Sequence, residues 1–188
     1  MTKKQIVALQ ERVGTTPDGF WGPKSIAACK RHLKALMPKN SPWPSPSGGE
    51  LRRFYGHHSD NTPIIRVDAP SWMRLYDSNK RVKSIYVHKR CADSLLRALE
   101  AAHKKAPDFV KRYFGCHVDR SMRGGSRPST HAYGAAIDLA ASTNRNKQSW
   151  PISANMPIEV MEEFAKEGWT PAGAFWGRDA MHFQATKA

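Results

Sequence analysis

The stretch STHAYGAAIDLA, residues 129–140, decides how this chain is read. His131 and Asp138 are separated there only by small or apolar residues and Tyr133. His131 lies in a polar loop after Pro128. Asp138 stands between Ile137 and Leu139, in a run with the composition of a short buried strand. A carboxylate in such a strand is costly unless it meets a cation or strong donors. Gly134, Ala135 and Ala136 keep the intervening turn slim, so the chain can fold back and bring both side chains to one point.

A second stretch supplies the third group. In DAMHFQ, residues 179–184, His182 sits between Met181 and Phe183, again in a strand-like run. Two imidazoles and one carboxylate make a zinc triad with water in the fourth position and ligand distances of ~2.0–2.2 Å. Asp179 precedes His182 by one short turn. It can stand beside that water without binding the metal, which is the position of a general base.

The surrounding chain reads as α+β. SIYVHK (84–89) has the β-branched and aromatic content of a strand. RCADSLLRALEAAHKKA (90–106) places Leu95, Leu96, Leu99 and Ala102 on one face of a helix. PIEVMEEFAKEG (157–168) reads as a helix opened by Pro157 and closed by Gly168, and MHFQAT as a final strand. Strands and helices without a regular βαβ repeat predict a small antiparallel sheet with flanking helices. Residues 51–83 carry no usable motif.

Proline, serine and glycine crowd the segment PKNSPWPSPSGGE (38–50). It predicts a linker over 39–50 between a unit at 1–38 and a larger one at 51–188. The first unit shows two helical patterns, KKQIVALQERV and KSIAACKRHLKAL, joined by GTTPDGFWGPKS with its turn formers and the large apolar Phe20 and Trp21. That predicts a small all-α domain.

The chain has 188 residues, a formal net charge of +14 and 40% hydrophobic residues, which is the composition of a globular protein with an anionic partner. Charge alone argues for nucleic acid; zinc-finger, RNP-like and basic-zipper patterns are missing, so no specific nucleic-acid partner is expected. Cys29, Cys91 and Cys116 lack CxxC spacing and read as reduced and buried. No signal-peptide pattern and no membrane-spanning run occur, so synthesis in a cytoplasm without signal-directed export is expected.

LQERVGTTPDGFWGPKSIAACKRHL resembles the repeat of small helical peptidoglycan-binding domains, which implies wall-binding roles for Asp18, Phe20 and Trp21. STHAYGAAIDLA is similar to the SxHxxGxAxD motif of the D-alanyl-D-alanine carboxypeptidase-like zinc peptidases, a hedgehog-like fold, and DAMHFQ to their closing (E/D)xxH motif. The resemblance implies one zinc ion on His131, Asp138 and His182, with Asp179 as catalytic base. It also implies an upstream arginine that contacts substrate, Arg120 first and Arg123 second. Ser129, Tyr133 and Trp176 flank these motifs and are the substrate-binding candidates. Within the family, residues 113–185 look most like phage endolysins that cut the L-alanyl–D-glutamate bond of stem peptides. That likeness implies a monomeric, bacteriolytic peptidoglycan hydrolase of a bacteriophage, held in the host cytoplasm until release through a holin and then acting in the peptidoglycan layer. Its basic surface suits an anionic wall or outer membrane. A D-alanyl-D-alanine carboxypeptidase and a non-catalytic wall-binding protein are the alternatives.

Overall fold

Two helices at the start of the chain, then helices interleaved with short strands, build a mixed α+β structure. The computed structural model describes residues 1–122 and 124–188. In chain order the helices are α1 (Lys3–Arg12), α2 (Pro23–Leu36), α3 (Gly48–Tyr55), α4 (Ala92–Lys105), α5 (Pro107–Val110), α6 (Ile158–Lys166) and α7 (Ala172–Trp176). The strands are β1 (Ile64–Asp68), β2 (Arg74–Leu75), β3 (Ser84–His88), β4 (Arg112–Gly115), β5 (Ala136–Leu139), β6 (Thr170–Pro171) and β7 (His182–Gln184), with a 3-10 turn at Thr130–Tyr133.

Five strands form one sheet in the order β2-β4-β5-β7-β6, and β1 pairs with β3 in a separate ribbon. The expected antiparallel pairing holds between β4 and β5, β5 and β7, and β6 and β7. It is corrected at β2 and β4, which run parallel. Strand alternation gives the five-stranded sheet two different faces. Ile137, Leu139 and Phe183 join a buried cluster with Leu95 and Leu99 of α4 and Phe164 of α6. Asp138, His182 and Gln184 take the alternate positions and lie on the other face.

Two glycines are required by backbone geometry. Gly134 has φ +62°, and a Cβ there would lie 2.7 Å from the backbone nitrogen of His88. That close approach lets His88 N–H donate to Gly134 O at 2.9 Å and ties β3 to the turn before β5. Gly168, φ +79°, ends α6 against the indole of Trp43.

Residues 39–50 are packed down at specific points. Trp43 is buried, its Nε1 donates to Glu167 O at 2.9 Å, and its ring meets Trp169 edge-on at 6.1 Å. Helix α3 begins within this stretch, at Gly48, capped by the Ser47 side chain. Helices α1 and α2 rest on α6 rather than standing apart. Arg12 donates to both oxygens of Glu162 at 2.7 and 2.6 Å, and His32 meets the same carboxylate at 2.7 Å. Leu9, Val13, Cys29 and Leu33 belong to the same buried cluster as the sheet. All three cysteines are free and buried, and no helix among the described residues is long and apolar enough to cross a membrane.

Candidate active site

The site is assembled from three pieces of backbone. Asp138 on β5 and His182 on β7 are direct cross-strand partners, so their side chains share one face. His131 enters from the 3-10 turn, whose N-cap Ser129 accepts from His131 N–H at 3.3 Å. The left-handed Gly134 then turns the chain into β5. His182 Nδ1 lies 3.0 Å from Asp138 Oδ1, His131 Nε2 lies 3.2 Å from the same oxygen, and the two imidazole nitrogens are 3.1 Å apart. His131 and Asp138 are each 3% exposed and His182 is 6% exposed.

Hydrogen bonding on the outside of this triangle decides what points inward. His131 Nδ1 faces Cys116 O at 2.6 Å, an atom that only accepts, so Nδ1 carries the proton and Nε2 presents its lone pair. His182 Nε2 faces Gln184 Oε1 at 3.1 Å. That amide is oriented by its own Nε2 donating to Thr186 Oγ1 at 2.7 Å. Nδ1 of His182 is therefore the inward lone pair. Two imidazole lone pairs and a carboxylate oxygen converge on one point, and such an arrangement repels itself unless positive charge occupies the centre.

Electrostatics agree. Burial pushes the Asp138 carboxyl up, but where protons take the place of a cation between these groups, hydrogen bonding and positive charge from His131 and His182 outweigh that and hold it well below the usual carboxylate range. Burial disfavours a proton on His182, yet the hydrogen bond and charge of Asp138, with Asp179 adding, raise its proton affinity above the ordinary value. A proton can bridge two of these atoms but not three. A tetrahedral zinc with ligands at ~2.0–2.1 Å has ligand–ligand edges of ~3.3 Å, close to the triangle here. The residues fit a zinc ion, with outer-shell hydrogen bonds of the kind that orient metal-bound histidines.

A cavity of about 150 Å3 opens on the cluster. Asp179 lines it, at the turn before β7, with positive φ and its carbonyl accepting from His182 N–H at 2.9 Å. Arg120, Ser129 and Trp176 line it as well. The Trp176 ring stacks on His182 at 5.5 Å and is 44% exposed, so it forms the rim. Tyr133 is not brought there; it packs near the rings of Tyr55 and His58 at 6.3 and 6.1 Å. Arg123 lies outside the described residues. Cys116 contributes its carbonyl, while burial raises its thiol well above the ordinary value and removes it as a nucleophile.

Sequence reasoning missed Thr130, Asn146, Arg178 and Gln184 in the lining. Gln184 was findable, because it lies two positions from His182 on the same strand face. Arg178 and Asn146 carry no sequence signal beyond proximity or charge.

In the N-terminal helices, Asp18 and Trp21 have structural tasks. Gln10, fully buried, donates to Asp18 Oδ1 at 2.8 Å and accepts from Gly19 N–H at 2.8 Å, which clamps the turn. Trp21 meets Trp150 edge-on at 5.5 Å. Phe20 is 72% exposed and free to make contacts.

Residues 123–185 match the family model described as D-alanyl-D-alanine carboxypeptidase. The matched segment contains the whole triangle, Asp179 and Trp176 at the cavity rim; residues 1–122 lie outside it. No curated relative and no solved structure gave a match. The match indicates a peptidase-type hydrolase, and the buried His131–Asp138–His182 group is the candidate metal site within it.

Proposed function

We propose that this chain is a zinc-dependent peptidoglycan peptidase that cuts the L-alanyl–D-glutamate bond of stem peptides and so lyses bacterial walls. The observation that carries the reading is the triangle of inward lone pairs with both outer imidazole nitrogens fixed as donors. Zinc, when bound by His131, Asp138 and His182, supplies Lewis-acid polarisation of the scissile carbonyl and lowers the pKa of water toward ~7. Asp179, at the cavity wall, takes the proton of the attacking water and returns it to the leaving amine. Arg120 is the cation for the developing oxyanion, and Trp176 walls the site on its open side. Phe20 and its helical unit act as a wall contact that keeps the monomeric enzyme near its polymer. The endolysin reading carries with it accumulation in a host cytoplasm and release through a holin.

The second reading keeps the site but cuts D-alanyl–D-alanine, and the description of the matched family favours it. Both bonds carry a carboxylate on the carbon next to the scissile nitrogen, so a cation at the cavity serves either. Mass spectrometry of digested muropeptides separates them. New L-alanine C-termini support the endopeptidase; free D-alanine with the L-alanyl–D-glutamate link intact replaces it with the carboxypeptidase.

A further inference from the structure

The face of the sheet that carries Asp138 continues outward past the cavity. Tyr113 of β4 pairs with Leu139 and Gly115 pairs with Asp138, with a bulge between them that leaves Phe114 as the extra residue. Bulges next to active sites re-aim side chains. Phe114 is 40% exposed and meets Tyr76 edge-on at 4.8 Å. Tyr113 and Leu75 pack on the core side, so Arg112 of β4 and Arg74 of β2 fall on the opposite face, the one that holds the triangle. Arg74 is the direct partner of Arg112 on one side and of Arg81 on the other.

Three arginines thus stand side by side across neighbouring backbone segments. Like charges directly opposite on a sheet destabilise it. None of the three is in an ion pair among the described residues. Arg74 turns one Nη onto the carbonyls of Ser71 and Met73 at 2.7 and 2.9 Å. Asp108, which feels the charge of Arg112, is held by Lys111 at 2.6 Å. Among the described residues no carboxylate lies within ion-pair distance of the row, and Arg112, Arg74 and Arg81 stand about one, two and three strand spacings, ~5, ~10 and ~15 Å, from the strand of Asp138.

We propose that Arg81, Arg74 and Arg112, flanked by Tyr76 and Phe114, form a carboxylate-binding surface that holds the anionic stem peptide of the polymer beside the cavity. This rests on the peptidoglycan reading above. The stem peptide is the occupant because its carboxylates repeat along an extended chain, as the guanidiniums repeat along the sheet face, and bidentate guanidinium–carboxylate pairing suits that geometry.

The test measures binding apart from hydrolysis. In a full chain carrying Asp179→Asn to stop turnover, calorimetry with a soluble disaccharide-tetrapeptide, at low and high salt, is compared with the same chain carrying Arg74→Gln/Arg81→Gln/Arg112→Gln, with the same muropeptide after its carboxylates are amidated, and with a glycerol-phosphate polymer. Two exposed pairs and one half-buried pair together predict a loss on the order of 10-fold in affinity for the triple variant, with a flatter salt dependence. The amidated muropeptide should bind the parent as weakly as the native one binds the variant, zinc content should be unchanged, and the melting temperature should be equal or higher because the like-charge row is relieved. Equal muropeptide binding by parent and variant overturns the proposal, as does arginine-dependent binding of the phosphate polymer alone. If the variant does not fold, the single substitution Arg81→Gln at the exposed end of the row carries the same comparison. Arginine-dependent muropeptide binding without any hydrolysis leaves this proposal standing and removes only the enzymatic reading.

Discussion

Two acidic residues in this molecule sit in nearly closed networks, and they do different things. Glu162 on α6 receives Arg12 from α1 and His32 from α2, so the carboxylate faces hydrogen-bond donors and a full positive charge. Asp138 on β5 faces two imidazoles whose protons are committed elsewhere, to Cys116 O and Gln184 Oε1. The first network is complete as it stands and fastens the N-terminal helices to the rest of the chain. The second turns electron-rich atoms toward one point, where the positive charge proposed for zinc would complete it. What separates a structural network from a candidate metal centre here is where the neighbours' protons point, not the burial of the acid.

The comparison breaks most sharply at the residue beside the metal cluster. Asp179→Asn removes the proposed base but none of the three converging ligands. Turnover on purified peptidoglycan should fall on the order of 10²–10⁴-fold, while metal content and melting temperature stay at parental values. If that variant loses its zinc instead, Asp179 is a ligand and its role has been misassigned.

Gln184→Leu tests where the imidazole protons point. It removes the acceptor that fixes His182 Nε2, and loss of such an outer-shell partner typically costs on the order of 10–100-fold in metal affinity. Competition with a chromophoric chelator measures it. Unchanged affinity means that the His182 tautomer is set by something else.

Glu162→Gln should leave zinc affinity alone and lower stability. Hydrogen bonds to a charged group contribute roughly 1.5–3 kcal/mol. Arg12 is 42% exposed on its side chain, so water screens the pair and the lower end of that range is expected. The pH sign follows from the same network. Burial pushes the Glu162 carboxyl up, but hydrogen bonds from Arg12 and His32 win and lower it below the ordinary 4.5. Its contribution is therefore fully present above about pH 4.5 and is lost as pH falls below that value. Denaturant melts at pH 6 and pH 4 should show a steeper acid loss in the parent than in Glu162→Gln.

Phe20→Ala gives the smallest effect on the fold. The ring is exposed, so stability should hold within about 0.5 kcal/mol while retention on insoluble sacculi drops. Unchanged retention means that Phe20 is not a wall contact.

How much of this was legible in the sequence depended on how local the signal was. The clustering of His131, Asp138 and His182 was readable because imidazole and carboxylate inside apolar strands are costly without a partner, and residues 129–140 and 179–184 each show that anomaly directly. Helices α4 and α6 were readable from their apolar stripes. The docking of α1 and α2 was not, because Arg12 and Glu162 lie far apart in sequence and each reads alone as a solvated charge. Residues 51–83 were silent because β2 spans only Arg74–Leu75 and β1 shows no clean alternation of buried and exposed positions. The parallel β2–β4 pair rests on two residue pairings, too few to leave a pattern. Tyr55, whose hydroxyl donates to Ala185 O at 2.6 Å, joins α3 to the C-terminal strand region through a contact that no local motif announces.

The most direct test of the central claim is a zinc titration of the metal-stripped protein, followed by calorimetry in the parent and in Asp138→Ala. The expected result is one zinc per chain in the parent, released protons on binding, and loss of that site in the variant. A parent that binds no zinc, or an Asp138→Ala chain that binds it as tightly as the parent, would contradict the metal-centre assignment.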